Sequence, residues 1–269
     1  MSFEDKYLIV SDLDGTFFGI NSSILPRNIN AIRAFQDKGG MFTVATGRSE
    51  AILRVIFPTV ADVVSGPAVL SGGACLYDYR AGKVLDRRDH DKDLIKTIIR
   101  ETRERFPDAG YRICTDKGFL TDHMTPHLSS RLKIFSDVTT VDDLDRHLDL
   151  IWYKLTYDVP PEDKPALKAY LDGYNPKVNV SGSSPCLSEI LNADASKGRQ
   201  IGNLRKLYPG RTIVCVGDYD NDLDMLLAAD LAACPANANE NVKAVSSLHL
   251  CENNEGCIAD LIEQLQKQK

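Results

Sequence analysis

The chain has 269 residues, 43% of them hydrophobic and 26% charged, with a net charge of −6. These are ordinary values for a globular fold, and they exclude a disordered, collagen-like or coiled-coil chain. The length allows one large domain or two smaller ones, and the acidic balance argues against a general nucleic-acid binder, whose footprint is a basic face. The opening MSFEDKYLIV mixes acids with a short apolar run, unlike a secretory signal. No stretch approaches the roughly 18 apolar residues of a membrane span. A cytoplasmic protein with no membrane contact is expected, of unspecified oligomeric state. The seven cysteines are scattered and never fall in a C-x-x-C spacing, so they read as buried small hydrophobes rather than as disulfides or zinc ligands.

In chain order, residues 7–11, 41–45 and 63–71 are short, nearly continuous apolar runs, and helix-like stretches follow the first two at 26–38 and 49–57. Runs of this kind suit strands buried on both faces, and their alternation with helices predicts an α/β fold around a mostly parallel, doubly wound sheet. Between about 86 and 186 the composition changes. The charge-dense RRDHDKDLIKTIIRETRER carries Leu94, Ile95, Ile98 and Ile99 at helical spacing, and strand-like runs follow at 111–115, 132–135, 151–157, 177–180 and 186–191. An inserted α+β unit with an antiparallel sheet is predicted over 87–186, leaving 1–86 and 187–269 as the main domain. The first pattern then resumes with a helix at 196–207, a strand at 212–216, a helix at 221–229 and short runs at 231–234 and 248–251. A last helix starts near 256, with Ile258, Leu261, Ile262 and Leu265 on one face.

The strongest chemical signal is YLIVSDLDGT, a strand that ends in Asp12 and Asp14. A second strand, TIVCV, ends the same way in GDYDND, which supplies Asp218, Asp220, Asn221 and Asp222. Burying several carboxylates together is costly, and the carboxyl ends of strands in an open α/β sheet face the ligand crevice. Converging acids call for a cation, and hard oxygen ligands favour Mg2+, which shares its remaining positions with water and substrate phosphate. Thr46 and Gly47, with Arg48, close a third strand where a helix begins, a place suited to phosphate oxygens. Lys197 opens a helix that re-enters the sheet domain, where an ammonium can neutralise both an aspartate and a phosphate.

Taken in order, Asp12-x-Asp14-Gly-Thr16, Thr46-Gly-Arg, Lys197-Gly and Gly217-Asp-x-x-Asn-Asp222 resemble the four motifs of the haloacid-dehalogenase-type (HAD) phosphatases, in particular the Cof-like subfamily with a type IIB cap. The resemblance spans nearly the whole chain and implies a Rossmann-like core with an inserted α+β cap domain. It implies that Asp12 is a nucleophile forming an aspartyl-phosphate and that Asp14 is the general acid and then base. Thr46, Gly47, Lys197 and Asn221 would bind the substrate phosphate, and Asp12, Asp14 through its carbonyl, Asp218 and Asp222 would hold Mg2+. The substrate would be a small phosphorylated metabolite of the sugar-phosphate class, with the cap closing on hinges near 85–88 and 185–187.

Two stretches depart from the family pattern: Ser71-Gly72-Gly73-Ala74, where Asn-Gly-Ala is usual, and Pro235-Ala236-Asn237-Ala238, where Met-Gly-Asn-Ala is usual. Both lie at the crevice rim and bear on substrate choice, with Asn237 either touching the site or capping a helix. His123 and His127 are not read as a metal pair, because Pro126 lies between them. These histidines, Arg112, Arg131, Trp152 and Lys154 are candidates for substrate-facing cap residues, and each is read instead as a packing or surface residue. A phosphomutase on the same scaffold, a phospho-acceptor similar to receiver domains, and a metabolite-sensing protein without turnover are the competing functions. The acceptor leaves Asp14 and the insert unexplained.

Overall fold

The computed structural model describes residues 4–132 and 138–267. In chain order its elements are β1 (Tyr7–Ser11), α1 (Pro26–Gln36), β2 (Met41–Val44), α2 (Glu50–Ile56), α3 (Val60–Val63), β3 (Ala68–Leu70), β4 (Cys75–Asp78) and β5 (Lys83–Arg87). There follow α4 (Lys92–Arg105), β6 (Gly110–Thr115), β7 (Gly118–Thr121), α5 (Pro126–Leu132), β8 (Val138–Thr140), β9 (Trp152–Asp158), α6 (Lys164–Leu171), β10 (Val178–Ser184) and β11 (Leu187–Asn192). The chain ends with α7 (Lys197–Leu207), β12 (Thr212–Val216), α8 (Leu223–Ala228), β13 (Leu231–Pro235), α9 (Glu240–Val245), β14 (Leu248–Leu250) and α10 (Cys257–Gln266).

Five parallel strands form one sheet in the order β14-β13-β12-β1-β2. All five residues of β1 are buried because the sheet is covered on both faces. Ile9 packs with Ile32, Phe35, Ile258 and Leu261 from α1 and α10, whereas Leu8 and Val10 pack with Ile201, Leu204 and Met225 from α7 and α8. That is the doubly wound arrangement the alternating pattern predicts, since successive strand residues point to opposite faces. β1 and β12 are neighbours, so Asp12 and Asp218 emerge side by side at the same edge.

The apolar run at 63–71 behaves differently from its reading as a strand of that sheet. It begins as the end of α3 and yields a strand only at β3, which pairs antiparallel with β4 and through it with β5. Beside β2 it makes one parallel bridge, between Ala45 and Val69, and separate hydrogen bonds such as Ser65 N–H to the Phe42 carbonyl at 2.8 Å, without a continuous ladder. The Ser65-Gly66-Pro67 turn in the middle of the run breaks the ladder, since proline has no amide hydrogen to donate.

The second sheet has six strands, β10-β11-β9-β6-β7-β8, antiparallel throughout except for β7 with β8. One face is covered by α4 and α6 through Ile95, Ile98, Ile99, Leu167 and Leu171. Residue Leu132 ends α5, and 133–135 of the expected strand lie outside the described residues. β11 pairs within this sheet, which therefore runs past position 186, where the composition places the junction. The segment 185–187 is correspondingly the tight turn of the β10–β11 hairpin, with Ser184 opposite Leu187, and not a hinge. Passage between the two sheets occurs instead between β5 and α4 and between β11 and α7. Among the described residues no helix is long and apolar enough to cross a membrane, and all seven cysteines are free thiols.

At the first of these passages His90 is 6% exposed and donates from Nε2 to the Ile190 carbonyl at 2.9 Å. Burial holds its imidazole down at about 4, although that carbonyl acts in the opposite direction. As pH falls below about 6.5 the unfolded chain takes up the proton while the folded ring stays neutral, so stability is complete above that pH and is lost down to about 4. Urea unfolding is expected to show about 3 kcal/mol lost to this group across the window, and His90→Gln is expected to flatten the slope. Equal slopes in the two proteins would contradict this.

Candidate active site

Asp12 follows β1 directly, and its amide donates to the Val216 carbonyl of β12 at 2.8 Å, so the strand pairing itself fixes its position. The residue is 5% exposed. Beyond it the chain turns sharply through Gly15, whose φ of +83° is the left-handed region that favours glycine, and a Cβ there would collide with the Asp218 carboxylate. Thr16 then donates from Oγ1 to Asp218 Oδ1 at 2.8 Å, and Asn237 braces the turn by donating from Nδ2 to the Gly15 carbonyl at 2.8 Å. Asn237 therefore supports the site loop. The cap of α9 is Asn239, whose Oδ1 accepts the Val242 amide at 2.9 Å.

Lys197, the first residue of α7, is almost completely buried and donates at 2.6 Å both to Asp12 Oδ1 and to Asp222 Oδ1. Burial alone pushes its ammonium pKa down, but the attraction of Asp12 and Asp222 outweighs this and holds it above the ordinary value. Asp222 Oδ2 accepts the amides of Asp218 and Tyr219 at 3.1 and 3.4 Å, which ties the 218–222 turn together. The start of α7 is pressed against the Ser71–Gly73 turn. Gly73 has a φ of +99°, a Cβ there would clash with Ser196 and lie 2.6 Å from the Lys197 amide nitrogen, and its carbonyl accepts Gln200 Nε2 at 2.9 Å. Gly73→Ala is expected to cost about 2 kcal/mol or more, through strain at positive φ and displacement of the lysine. Urea unfolding checks this, and wild-type stability in the variant would contradict it.

Carboxylate oxygens of Asp12, Asp218 and Asp222 all lie within 4.8 Å of one another. Burial raises the Asp12 carboxyl well above the usual range; Lys197 opposes this, while Asp222, Asp218 and Asp14 add to it. Asp218 is pushed up to about 7, first by burial and then by Asp222, against the Thr16 hydrogen bond. Asp12, Asp14, Asp218 and Asp222 outnumber Lys197 and Arg48 by two negative charges, the charge of one divalent cation. Oxygen donors in this number and with this surplus fit Mg2+, and without a cation Asp12 and Asp218 relieve the repulsion by holding protons more tightly.

Asp14 is placed apart from that cluster. Its half-exposed carboxylate is held by Arg48, which donates from Nε and Nη2 at 2.8 and 2.7 Å. Thr46 is buried, its Oγ1 accepts the Arg48 amide at 3.2 Å, and Gly47 with Arg48 reaches the cavity wall. The cavity, of about 240 Å3, brings Asp12, Asp14, Gly47, Asp218 and Asn221 together.

Its opposite wall comes from the six-stranded sheet and was not legible as a site from single residues. Arg112, Thr156 and Glu189 stand in register across β6, β9 and β11, and Phe119, Lys154, Ser183 and Leu187 line the same wall. Lys154, 4% exposed, donates at 2.6 Å to Glu189 Oε1 and at 3.0 Å to the Gly47 carbonyl, so it joins the second sheet to the loop after β2. Burial would raise the Glu189 carboxyl, but Lys154 outweighs it and holds the group below the ordinary range. The available signal is the alternation in YRIC and KLTY, where Arg112, Lys154 and Thr156 interleave with buried Tyr111, Ile113, Leu155 and Tyr157. Of the other residues read as packing or surface, Trp152 is core, and His123 donates from Nε2 to the Pro107 carbonyl at 2.9 Å.

Over 95% of its length the chain is 23% identical to the pyridoxal phosphate phosphatase YbhA of Escherichia coli strain K12, of which it covers 97%. It is 26% identical to the phosphoglycolate phosphatase of Methanopyrus kandleri over 96% of both chains. Among solved structures it superposes on a haloacid dehalogenase-like hydrolase from B. subtilis with a TM-score of 0.84 at 20% identity, covering 96% of this chain and 99% of that one. Residues 9–262 match the family described as haloacid dehalogenase-like hydrolase. With its doubly wound sheet and the four motifs gathered at one edge, this chain belongs to the haloacid dehalogenase-like hydrolases.

Proposed function

We propose that the protein is a Mg2+-dependent cytoplasmic phosphatase that removes phosphate from a small phosphorylated metabolite, of the sugar-phosphate class, through an aspartyl-phosphate on Asp12. The observation that carries this reading is the buried Asp12 carboxylate, with one oxygen held by Lys197 at 2.6 Å, on the wall of a cavity it shares with Asp14. Relatives named for pyridoxal phosphate and phosphoglycolate support a small phosphorylated substrate.

In this reading the second Asp12 oxygen attacks phosphorus, forming the acyl-phosphate bond as the bond to the leaving oxygen breaks. Asp14, two residues further along the same turn, gives its proton to the departing alcohol and then takes one from the water that hydrolyses the acyl-phosphate. Lys197, Gly47 and Asn221, with the Thr46 hydroxyl behind them, hold the phosphoryl oxygens. Arg48 grips both Asp14 oxygens in the structure, so this pair parts before proton transfer. Mg2+ held by Asp12, Asp218 and the Asp14 carbonyl, with Asp222 behind them, would neutralise charge on the phosphoryl group.

The six-stranded sheet acts as the cap, turning on the connections at 88–91 and 193–196, and the Lys154 contact with Gly47 marks the closed arrangement that excludes bulk water. The test is phosphate release from a panel of phosphorylated sugars and small acids, with Mg2+ and with chelator. Release that needs Mg2+ is expected. Isomerised substrate without release would favour a mutase, and phosphorylation of Asp12 by a small phosphodonor without turnover would favour the acceptor reading.

A further inference from the structure

We propose that the cap wall of the cavity holds an anion subsite at Arg112, and that the substrate is a phosphorylated hydroxy acid or sugar acid whose carboxylate this residue receives. The proposal rests on the phosphatase reading and narrows it. Arg112 lines the same cavity as Asp12. Its guanidinium carbon sits 5.4 Å from the centre of the Phe119 ring, and Nη1 donates to Asp158 Oδ2 at 3.3 Å. Among the described residues that is its single hydrogen bond, so most of its five N–H donors remain for a ligand.

The fork is fixed from behind. Asp158 is fully buried and also accepts from Arg131 Nε at 3.0 Å and from His127 Nε2 at 3.2 Å. Two guanidinium groups thus share one carboxylate. The Arg131 side chain is 37% exposed and its charge is screened by solvent, whereas the Arg112 side chain beside the cavity is only 11% exposed and holds Asp158 at the longer distance of 3.3 Å, so the unscreened part of the surplus lies on Arg112. Buried surplus charge is costly until a counter-ion arrives, and a planar carboxylate matches both its magnitude and the geometry of the fork. A second phosphoryl group would overshoot it. The neighbouring Lys154 and Glu189 already neutralise each other at 2.6 Å and contribute no surplus. At the far end the Lys197 ammonium, 2.6 Å from Asp12, is the cation that receives the doubly charged phosphate, which leaves Arg112 on the opposite wall for the singly charged end of the substrate.

Two matched pairs test this: 3-phosphoglycerate against glycerol 3-phosphate, and 6-phosphogluconate against sorbitol 6-phosphate, each differing by a carboxylate in place of a hydroxymethyl group. For the pair whose length spans the cavity, wild type is expected to favour the acid at least tenfold in kcat/KM. Arg112→Gln is expected to bring that ratio to within about twofold, and Arg112→Lys, which keeps the charge without the fork, to leave it in between. Asp158 keeps Arg131 and His127 in both variants, so no buried charge is orphaned. No preference in wild type, a preference that survives Arg112→Gln, or hydrolysis of p-nitrophenyl phosphate with neither acid turned over would overturn the subsite. No phosphate from any of these compounds would overturn the phosphatase reading itself.

Discussion

Asp12→Asn is expected to lower phosphate release by at least about four orders of magnitude, because the isosteric amide cannot form the acyl-phosphate while the surrounding geometry survives. Asp12 sits where strand pairing fixes it, its amide bound to Val216 of β12, and Lys197 keeps its second partner, Asp222 Oδ1, in the variant. The loss is therefore chemical and not a failure to fold. Steady-state rates with the best phosphomonoester, beside a thermal unfolding curve, check both halves. A variant that retains a tenth of the wild-type rate would exclude Asp12 as the nucleophile.

Lys197→Met is expected to damage folding and turnover together. The methionine has nearly the length of the lysine but leaves the Asp12 and Asp222 carboxylates without the ammonium that contacts each at 2.6 Å. Removing one partner from a buried ionic cluster costs about 3–5 kcal/mol, and loss of a cation from the developing phosphoryl charge costs a further 10²–10³ in rate. Lys197 lowers the Asp12 pKa against burial and the neighbouring acids, so its removal lets the folded state bind protons more tightly. The variant's deficit then shrinks as pH falls and grows as pH rises. Unfolding curves at acid and mildly alkaline pH measure this; a deficit independent of pH would contradict it.

The parallel sheet and its site were legible because their signals are local. A strand such as YLIVS, buried on both faces, writes itself as a continuous apolar run, and Asp12, Asp14 and Asp218 follow such runs at once. Lys197 is silent alone, and its burial between two aspartates is visible only once α7 is packed against the Ser71–Gly73 turn. The end of the inserted sheet was placed too early. Charge density and prolines mark loops and solvated helices, so the composition puts the junction at 186, inside the run at 186–191 that itself reads as a strand of the insert and that pairs there as β11 with β9 and β10. The cavity's second wall was missed for a related reason. Arg112, Thr156 and Glu189 are far apart in the chain and meet through register, which a polar residue in a single strand does not reveal.

Acid quenching within the first turnover of a ³²P-labelled phosphomonoester, followed by mapping of the label, tests the aspartyl-phosphate on Asp12 most directly. Wild type with Mg2+ is expected to carry acid-stable, base-labile label on the peptide containing Asp12, up to one equivalent, and Asp12→Asn to carry none. Turnover at the wild-type rate with no label on the protein, or with label on Asp12→Asn, would contradict the mechanism.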